Sequence, residues 1–386
     1  MLRRLVALLA CATALLAGAA VATAAGPPAV QGAAVLVGNG ATGEVLFQRG
    51  ADLELPMASI TKVMTVLLSL ENAKPSQVVV GSADAAAVGE SSIDLRRGER
   101  LTVRELQLAA MLPSANDAAY ALGEHVGGRG GMRRFLRLMN ERADELGLEH
   151  TRYVRPDGLD APGHHSSARD IFTLARTAMR LPAFRQLART RQATISGGRR
   201  LTSTNDLLFS YAGTIGVKTG HTSDAGWCEV VAARRNGVTI YVVILGSPGR
   251  EQRNADLAKL LDWGFAQYGR VQLISGTRTY AEAAVPYREE KALRLVAREP
   301  ILKVVRWGTR LREQVVAPAM VRLPIQAGDE LGTVKVFEGD EVIAEQPLIA
   351  TESIAAPGVG SRMGWYADRA LDHAGDLLDS IFGGIL

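Results

Sequence analysis

The chain has 386 residues, 47% of them apolar, with 44 basic against 40 acidic side chains and a formal charge of +4. That is enough chain for two domains and a large core. Setting aside an N-terminal leader that carries Arg3 and Arg4 and no acid lowers the charge to +2, and no basic block or aromatic-interleaved stripe follows, which speaks against a nucleic-acid partner.

The leader is the opening stretch itself. In "MLRRLVALLACATALLAGAAVATAAGPP" two arginines precede an apolar run that ends in small residues at Ala22-Thr23-Ala24, the pattern of a signal peptide over residues 1–24. An uncleaved membrane anchor is the alternative, and a lipoprotein reading at Cys11 is weaker because the apolar run before it is short and continues past it. Once the leader is removed Cys228 is the only cysteine, so the exported chain forms no internal disulfide and depends on its core.

Residues 33 to 48 read as two strands about a Gly/Asn turn. "LPMASITKVM" follows, with Ser59 three residues ahead of Lys62. If the chain is helical from residue 59, the two side chains share one face, a turn apart. Met64, Leu67, Leu68 and Leu70 crowd the next turns, so the helix is expected to be buried. A buried ammonium is costly, and desolvation would lower the lysine from about 10.4 towards roughly 7 to 8, where it can take a proton from a serine hydroxyl.

Thr102 and Glu105 form a capping box that opens a helix with Leu106, Ala109 and Ala110 on its apolar face, ending near Pro113. A helix from about Asp117 to Val126 then leaves Ser114-Ala115-Asn116 in a short connection between two helices. Residues 133–147 and 169–180 also read as helices. From Thr214 the pattern becomes three successive buried strands, "TIGVKTG", "GWCEVVAARRNG" and "VTIYVVILG", followed by a helix over 251–268. Helices around a mainly antiparallel sheet indicate an α+β domain over residues 25–270.

Residues 271–355 lose the helical signals. "ALRLVA", "ILKVVRW", "MVRLPIQ" and "GTVKVFEGDEVIAEQPL" read as short strands of a small β-sandwich that holds no catalytic constellation. Residues 356–386 close the chain as an amphipathic helix with Ala370, Ala374, Leu377, Leu378, Ile381, Phe382 and Ile385 on one face. It is expected to lie in a membrane interface, although its polar face carries more Asp than Arg and anionic lipid would repel it.

Three elements then stand in order: Ser59-x-x-Lys62 at a helix start, Ser114-Ala115-Asn116 in an interhelix loop, and Lys218-Thr219-Gly220 on a strand. This set resembles the penicillin-recognising serine enzymes. Within them the chain is most similar to the low-molecular-mass D-alanyl-D-alanine carboxypeptidases of the penicillin-binding protein 5/6 type. "MASITKVMT", "SANDAA", "GLDAPGHHSSARD", "GVKTGHTSDAGW" and "LLDWGF" carry the likeness across nearly the whole mature chain. The resemblance implies that Ser59 is acylated, Lys62 is its base, Ser114 relays a proton, Asn116 holds the substrate amide and Lys218 orients the site electrostatically. It further implies that Thr219 and Arg253 bind the terminal carboxylate and that the backbone N–H groups of Ser59 and His221 stabilise the oxyanion. Physical chemistry supports these roles: Lys218 as a second cation would lower Lys62 further, Gly220 allows close approach to an edge strand, and a guanidinium grips a carboxylate bidentately.

The implied substrates are peptidoglycan stem peptides ending in D-Ala-D-Ala, with β-lactams as covalent inhibitors, no cofactor or metal, and a location on the outer face of the cytoplasmic membrane. Two departures are noted. Ala115 occupies the variable position of the second motif, and Thr204 falls near a place where some relatives carry an arginine. A β-lactamase would need a Glu-x-x-Leu-Asn loop after the second motif, and residues 117–217 contain none. A silent peptidoglycan-binding scaffold would not need three intact motifs. A DD-endopeptidase that cuts cross-links uses the same acyl-enzyme, and the motifs alone leave it open.

Overall fold

A computed structural model describes residues 9–15, 26–288, 291–360, 362–364 and 367. The chain divides into a unit spanning Ala24–Tyr268 and a second unit formed from Gly269 onward together with the early strand Leu9–Leu15.

In the first unit β1 (Ala34–Asn39) and β2 (Val45–Arg49) make the expected hairpin. A 3-10 turn, Ala58–Thr61, leads into α1 (Lys62–Asn72), followed by α2 (Val103–Met111), α3 (Asn116–Gly127), α4 (Gly131–Glu145) and α5 (Ala168–Ala178). The chain then supplies β3 (Thr214–Thr222), β4 (Gly226–Arg235), β5 (Val238–Ser247) and α6 (Arg250–Ala266). The sheet runs β2-β1-β5-β4-β3 and is antiparallel throughout, so β3 is an edge.

Both faces of this sheet are covered, which explains why its strands read as continuous apolar runs. Tyr241, Val243 and Leu245 of β5 join a core with α1, α2, α3 and α5, whereas Ile240, Val242 and Ile244 pack against Leu257, Leu260, Leu261 and Phe265 of α6. The two-residue period sorts β3 and β4 in the same way. Lys218 is paired with Val230, a residue of the helical-side core, while Thr219 is paired with Glu229, whose neighbours Val231 and Ala233 pack on the α6 side.

The capping box forms as expected. Thr102 Oγ1 accepts from Glu105 N, and Glu105 Oε2 accepts from Thr102 N at 2.7 Å. One sequence expectation shifts: Ser59 lies in the 3-10 turn and Lys62 is the first residue of the α-helix, yet the three-residue spacing still brings their side chains together. The Pro182–Ala188 helix and the Gln192–Ile195/Arg199–Thr202 ribbon carry no signal that was read from sequence.

The second unit holds a six-stranded antiparallel sheet in the order Leu9–Leu15, Leu311–Pro318, Glu330–Glu338, Glu341–Ala350, Ala292–Ala297, Thr279–Ala284, and a two-stranded sheet of Tyr268–Ile274 with Ile301–Arg306. Leu273 and Ile274 share a core with Leu293, Leu295, Val334, Val336 and Leu348. "MVRLPIQ" is not a strand. It makes only isolated bridges at Met320 and Ile325, and its Pro324 has no N–H to donate to a ladder. The strand lies earlier, at Leu311–Pro318, where inward-facing Glu313, held bidentately by Arg278 at 2.9 and 3.0 Å, interrupts the apolar alternation. The apolar run expected to be a leader contributes the edge strand Leu9–Leu15, paired with Leu311–Pro318. The amphipathic tail over residues 361–386 falls almost wholly outside the described residues.

Candidate active site

The 3-10 turn that carries Ser59 is fixed from three sides. Ala58 stands at φ +48°, in the left-handed region. Thr61 Oγ1 donates to Ala58 O at 2.9 Å and meets His164 Nε2 at 2.8 Å. His164 Nδ1 accepts from Val154 N, so Nε2 carries the hydrogen that Thr61 receives. Burial lowers His164 to about 4 and keeps it neutral. Gly158, at φ +87°, packs so closely that a Cβ there would sit 2.1 Å from Ala58 O. On the other side Gly220 of β3 does the same, since a Cβ would come within 2.9 Å of Met57 O and 3.1 Å of Ser59 N.

Lys62 is fully buried, with Nζ 2.7 Å from Ser59 Oγ, 2.7 Å from Asn116 Oδ1 and 2.6 Å from Asp157 O. Asn116 Nδ2 donates to Gly89 O, which fixes the amide with its oxygen towards the lysine. The two carbonyl oxygens can only accept. A neutral amine therefore spends both hydrogens on them and turns its lone pair to the Ser59 hydroxyl, the geometry of a general base. Burial lowers Lys62 to about 7, against the opposing pull of Asp157. Burial and the neighbouring Lys62 charge also hold Lys218 well below the usual lysine range, and the repulsion between the two buried cations disfavours the charged form of each.

Ser114 also stands in the left-handed region, at φ +67°, two residues before α3. Lys218 Nζ donates to Ser114 Oγ at 2.8 Å and to Thr219 O at 2.9 Å. Ser59 and Ser114 thus each have a buried lysine as partner, and both line one cleft.

That cleft has a volume of about 250 Å³ and brings Ser59, Ser114, Thr219, Gly220, His221 and Arg253 together. Arg253 is 1% exposed. Its Nε and Nη2 donate to Asn254 Oδ1 at 3.2 and 2.7 Å, its Nη2 lies 3.6 Å from Asp206 Oδ2, and its Nε lies 3.0 Å from Glu229 Oε2. The His221 side chain is exposed and rests on the Trp227 ring with centroids 4.1 Å apart. Thr204 bonds the Thr219 hydroxyl at 2.7 Å, so the position without an arginine is filled by a hydroxyl relay to the third motif. A wider depression of about 740 Å³, lined by Glu54, Arg133, Arg137, Glu141, Arg152 and His165 among others, contains no serine–lysine pair, and the chemistry belongs to the smaller cleft.

Sequence reading did not single out Ser91, Trp227 or Arg250 in the cleft, nor Glu229 behind it. Arg250 could have been found, because it lies three residues before Arg253 on the same helix. Ser91 could not: its loop is tied down by Asp117, which accepts from Ile93 N, Leu95 N and Ser92 Oγ.

Residues 21–249 match the D-alanyl-D-alanine carboxypeptidase family, Peptidase S11. The chain belongs to that family. Residues 268–356 match the penicillin-binding protein 5 C-terminal domain. D-alanyl-D-alanine carboxypeptidase DacF of Bacillus subtilis is 33% identical over 329 residues, 82% of this chain and 84% of that one. Penicillin binding protein 5 from Haemophilus influenzae superposes with a TM-score of 0.62 at 25% identity, covering 86% of this chain and 100% of that one. The Streptomyces K15 DD-transpeptidase superposes at 0.60 with 32% identity, covering 63% and 100%. This S11 carboxypeptidase is therefore a serine-type hydrolase, and the endopeptidase alternative is not favoured. Among its described residues no helix is long and apolar enough to cross a membrane.

Proposed function

We propose that the chain removes the terminal D-alanine from peptidoglycan stem peptides ending in D-Ala-D-Ala through an acyl-serine intermediate. Ser59 Oγ attacks the penultimate carbonyl as its proton passes to Lys62, and the N–H groups of Ser59 and His221 face the oxyanion. A new ester C–O bond forms and the C–N bond breaks. The leaving amine takes its proton through Ser114, which Lys218 holds in place. Asn116 orients the substrate amide, and the peptide lies along the open edge of β3 at Gly220. Thr219 and Arg253 receive the terminal carboxylate. Water then hydrolyses the ester.

The arrangement around Lys62 supports this reading most directly, because Asn116 Oδ1 and Asp157 O leave its lone pair only the Ser59 hydroxyl to face. The leader and the tail support export and attachment to the outer face of the cytoplasmic membrane, the tail by apolar burial. β-Lactams are expected to trap the same ester.

Product analysis on a pentapeptide and on a cross-linked dimer tests the reaction. D-Alanine release from the pentapeptide is expected, and preferential cleavage of the dimer would overturn it. Ser59→Ala is expected to abolish labelling by a fluorescent penicillin, and a retained covalent label would remove Ser59 as the nucleophile.

A further inference from the structure

Glu229 is a carboxylate in an unusual place. It lies on β4 directly opposite Thr219, is 0% exposed, and neither of its oxygens accepts a hydrogen bond among the described residues. Its neighbour is Arg253, 3.0 Å away from Nε to Oε2, but that N–H is directed to Asn254 Oδ1. The contact is an ion pair without a linear hydrogen bond. Such a group is costly to bury, and a structural counter-charge for Arg253 already exists on the outer side. Asp206 lies 3.6 Å from Nη2 and is itself held by Arg250 at 2.6 and 2.8 Å and by Asn254 at 2.8 Å.

We propose that Glu229 is a positioning residue that sets how strongly Arg253 grips the substrate's terminal carboxylate, holding the guanidinium from behind and competing with the incoming carboxylate for its charge. The inference rests on the carboxylate grip proposed above. With Glu229 ionised, Arg253 is largely neutralised, so substrate binds weakly and the released D-alanine leaves readily. With Glu229 protonated, only Asp206, 3.6 Å away and shared with Arg250, offsets the guanidinium, and the carboxylate is held more tightly.

The groups facing Glu229 are Arg253, Asp206, Lys218 and Arg250. The two arginines stay charged at working pH. The Arg250 hydrogen bond holds Asp206 below the usual carboxylate range, and burial with the Lys62 charge holds Lys218 far below the lysine range. Burial, opposed by Arg253, raises Glu229 to about 7. Its charge therefore changes near neutrality, which adds a pH dependence to the geometry.

The test uses the full chain, an acylated Lys-D-Ala-D-Ala peptide and its C-terminal amide. The readout is the acid-to-amide ratio of kcat/KM between about pH 5.5 and about 8.5, the span over which a carboxyl at 7 titrates. Lys62 titrates in the same window, but it serves both substrates and cancels in the ratio. In wild type the ratio is expected to fall roughly three- to tenfold as pH rises, through KM of the acid, as for a charge partner partly neutralised by a competitor. In Glu229→Gln it is expected to stay at the low-pH value throughout, and Glu229→Asp should restore the slope. A ratio independent of pH in wild type, or a slope that survives in Glu229→Gln, overturns the inference. If Glu229→Gln does not fold, as thermal melting would reveal, Glu229→Met, also neutral and of similar size, takes its place with the same expected and overturning results. Equal hydrolysis of acid and amide at every pH is a different result, since it removes the carboxylate grip itself.

Discussion

At Lys62 three oxygen atoms surround one nitrogen, and the count of hydrogens on that nitrogen decides whether the site is active. The ammonium fills all three contacts and locks the Ser59 oxygen as an acceptor, whereas the neutral amine leaves the third contact for the serine proton. With Lys62 at about 7, the rate of acylation by a fluorescent penicillin should rise about tenfold per pH unit below that value and level off above it. A rate that is flat through neutrality would remove Lys62 as the titrating base. Lys62→Arg is expected to leave no measurable acylation, because a guanidinium does not deprotonate at working pH. Ser59 and Lys62 are legible in the sequence because a three-residue spacing on a turn guarantees proximity. The Asp157 carbonyl is not legible, since it comes from a residue 95 positions away and any side chain would supply the same oxygen.

Between elements, the site depends on how tightly the nucleophile turn is clasped. Two glycines bring the loop after Arg155 and the edge strand β3 against the Ala58–Thr61 turn from opposite sides. Gly158 is the stricter of the two, because it combines φ +87° with a backbone oxygen 2.1 Å from where a Cβ would be. Gly158→Ala must shift either its own loop, which carries the Asp157 carbonyl, or the turn that carries Ser59. A lowered melting temperature and an acylation rate reduced at least about tenfold are expected, in keeping with small displacements of reacting groups. Wild-type acylation in that variant would show that the contact does not position the serine. The helix starts were readable in advance, as the Thr102–Glu105 capping box shows, because caps are local chemistry. The strand Leu311–Pro318 was not, because its buried Glu313 looks like a surface charge until Arg278 is found 35 residues away.

On the scale of the whole molecule, every residue assigned a role in catalysis or carboxylate binding lies within Ala24–Tyr268, and the second unit contributes none. Removing residues 361–386 should therefore leave turnover of a soluble peptide unchanged while moving the mature protein from the membrane to the soluble fraction. Lost turnover would show that the tail takes part in folding or in the site, and a chain still bound to membrane would show that attachment lies elsewhere. The acidic side of the tail adds a check on mechanism, since binding by apolar burial alone should not weaken as salt is raised.

The sequence by itself determined the three motifs, their order, the helix caps, the continuous strands of a sheet covered on both faces, and the change to β structure after residue 270. All of these are local patterns, set by turn spacing, side-chain period and capping chemistry. Only the tertiary structure decided which distant groups stand behind them: the Asp157 carbonyl on Lys62, the Thr204 hydroxyl on Thr219, His164 beneath the nucleophile turn, and Glu229 behind Arg253. Glu229 shows the reason most clearly. In the chain it is one acid within the apolar run "GWCEVVAARR", and its meaning comes from strand register, which puts it opposite Thr219 on the face that α6 covers and within an ion pair's reach of an arginine 24 residues further along the chain.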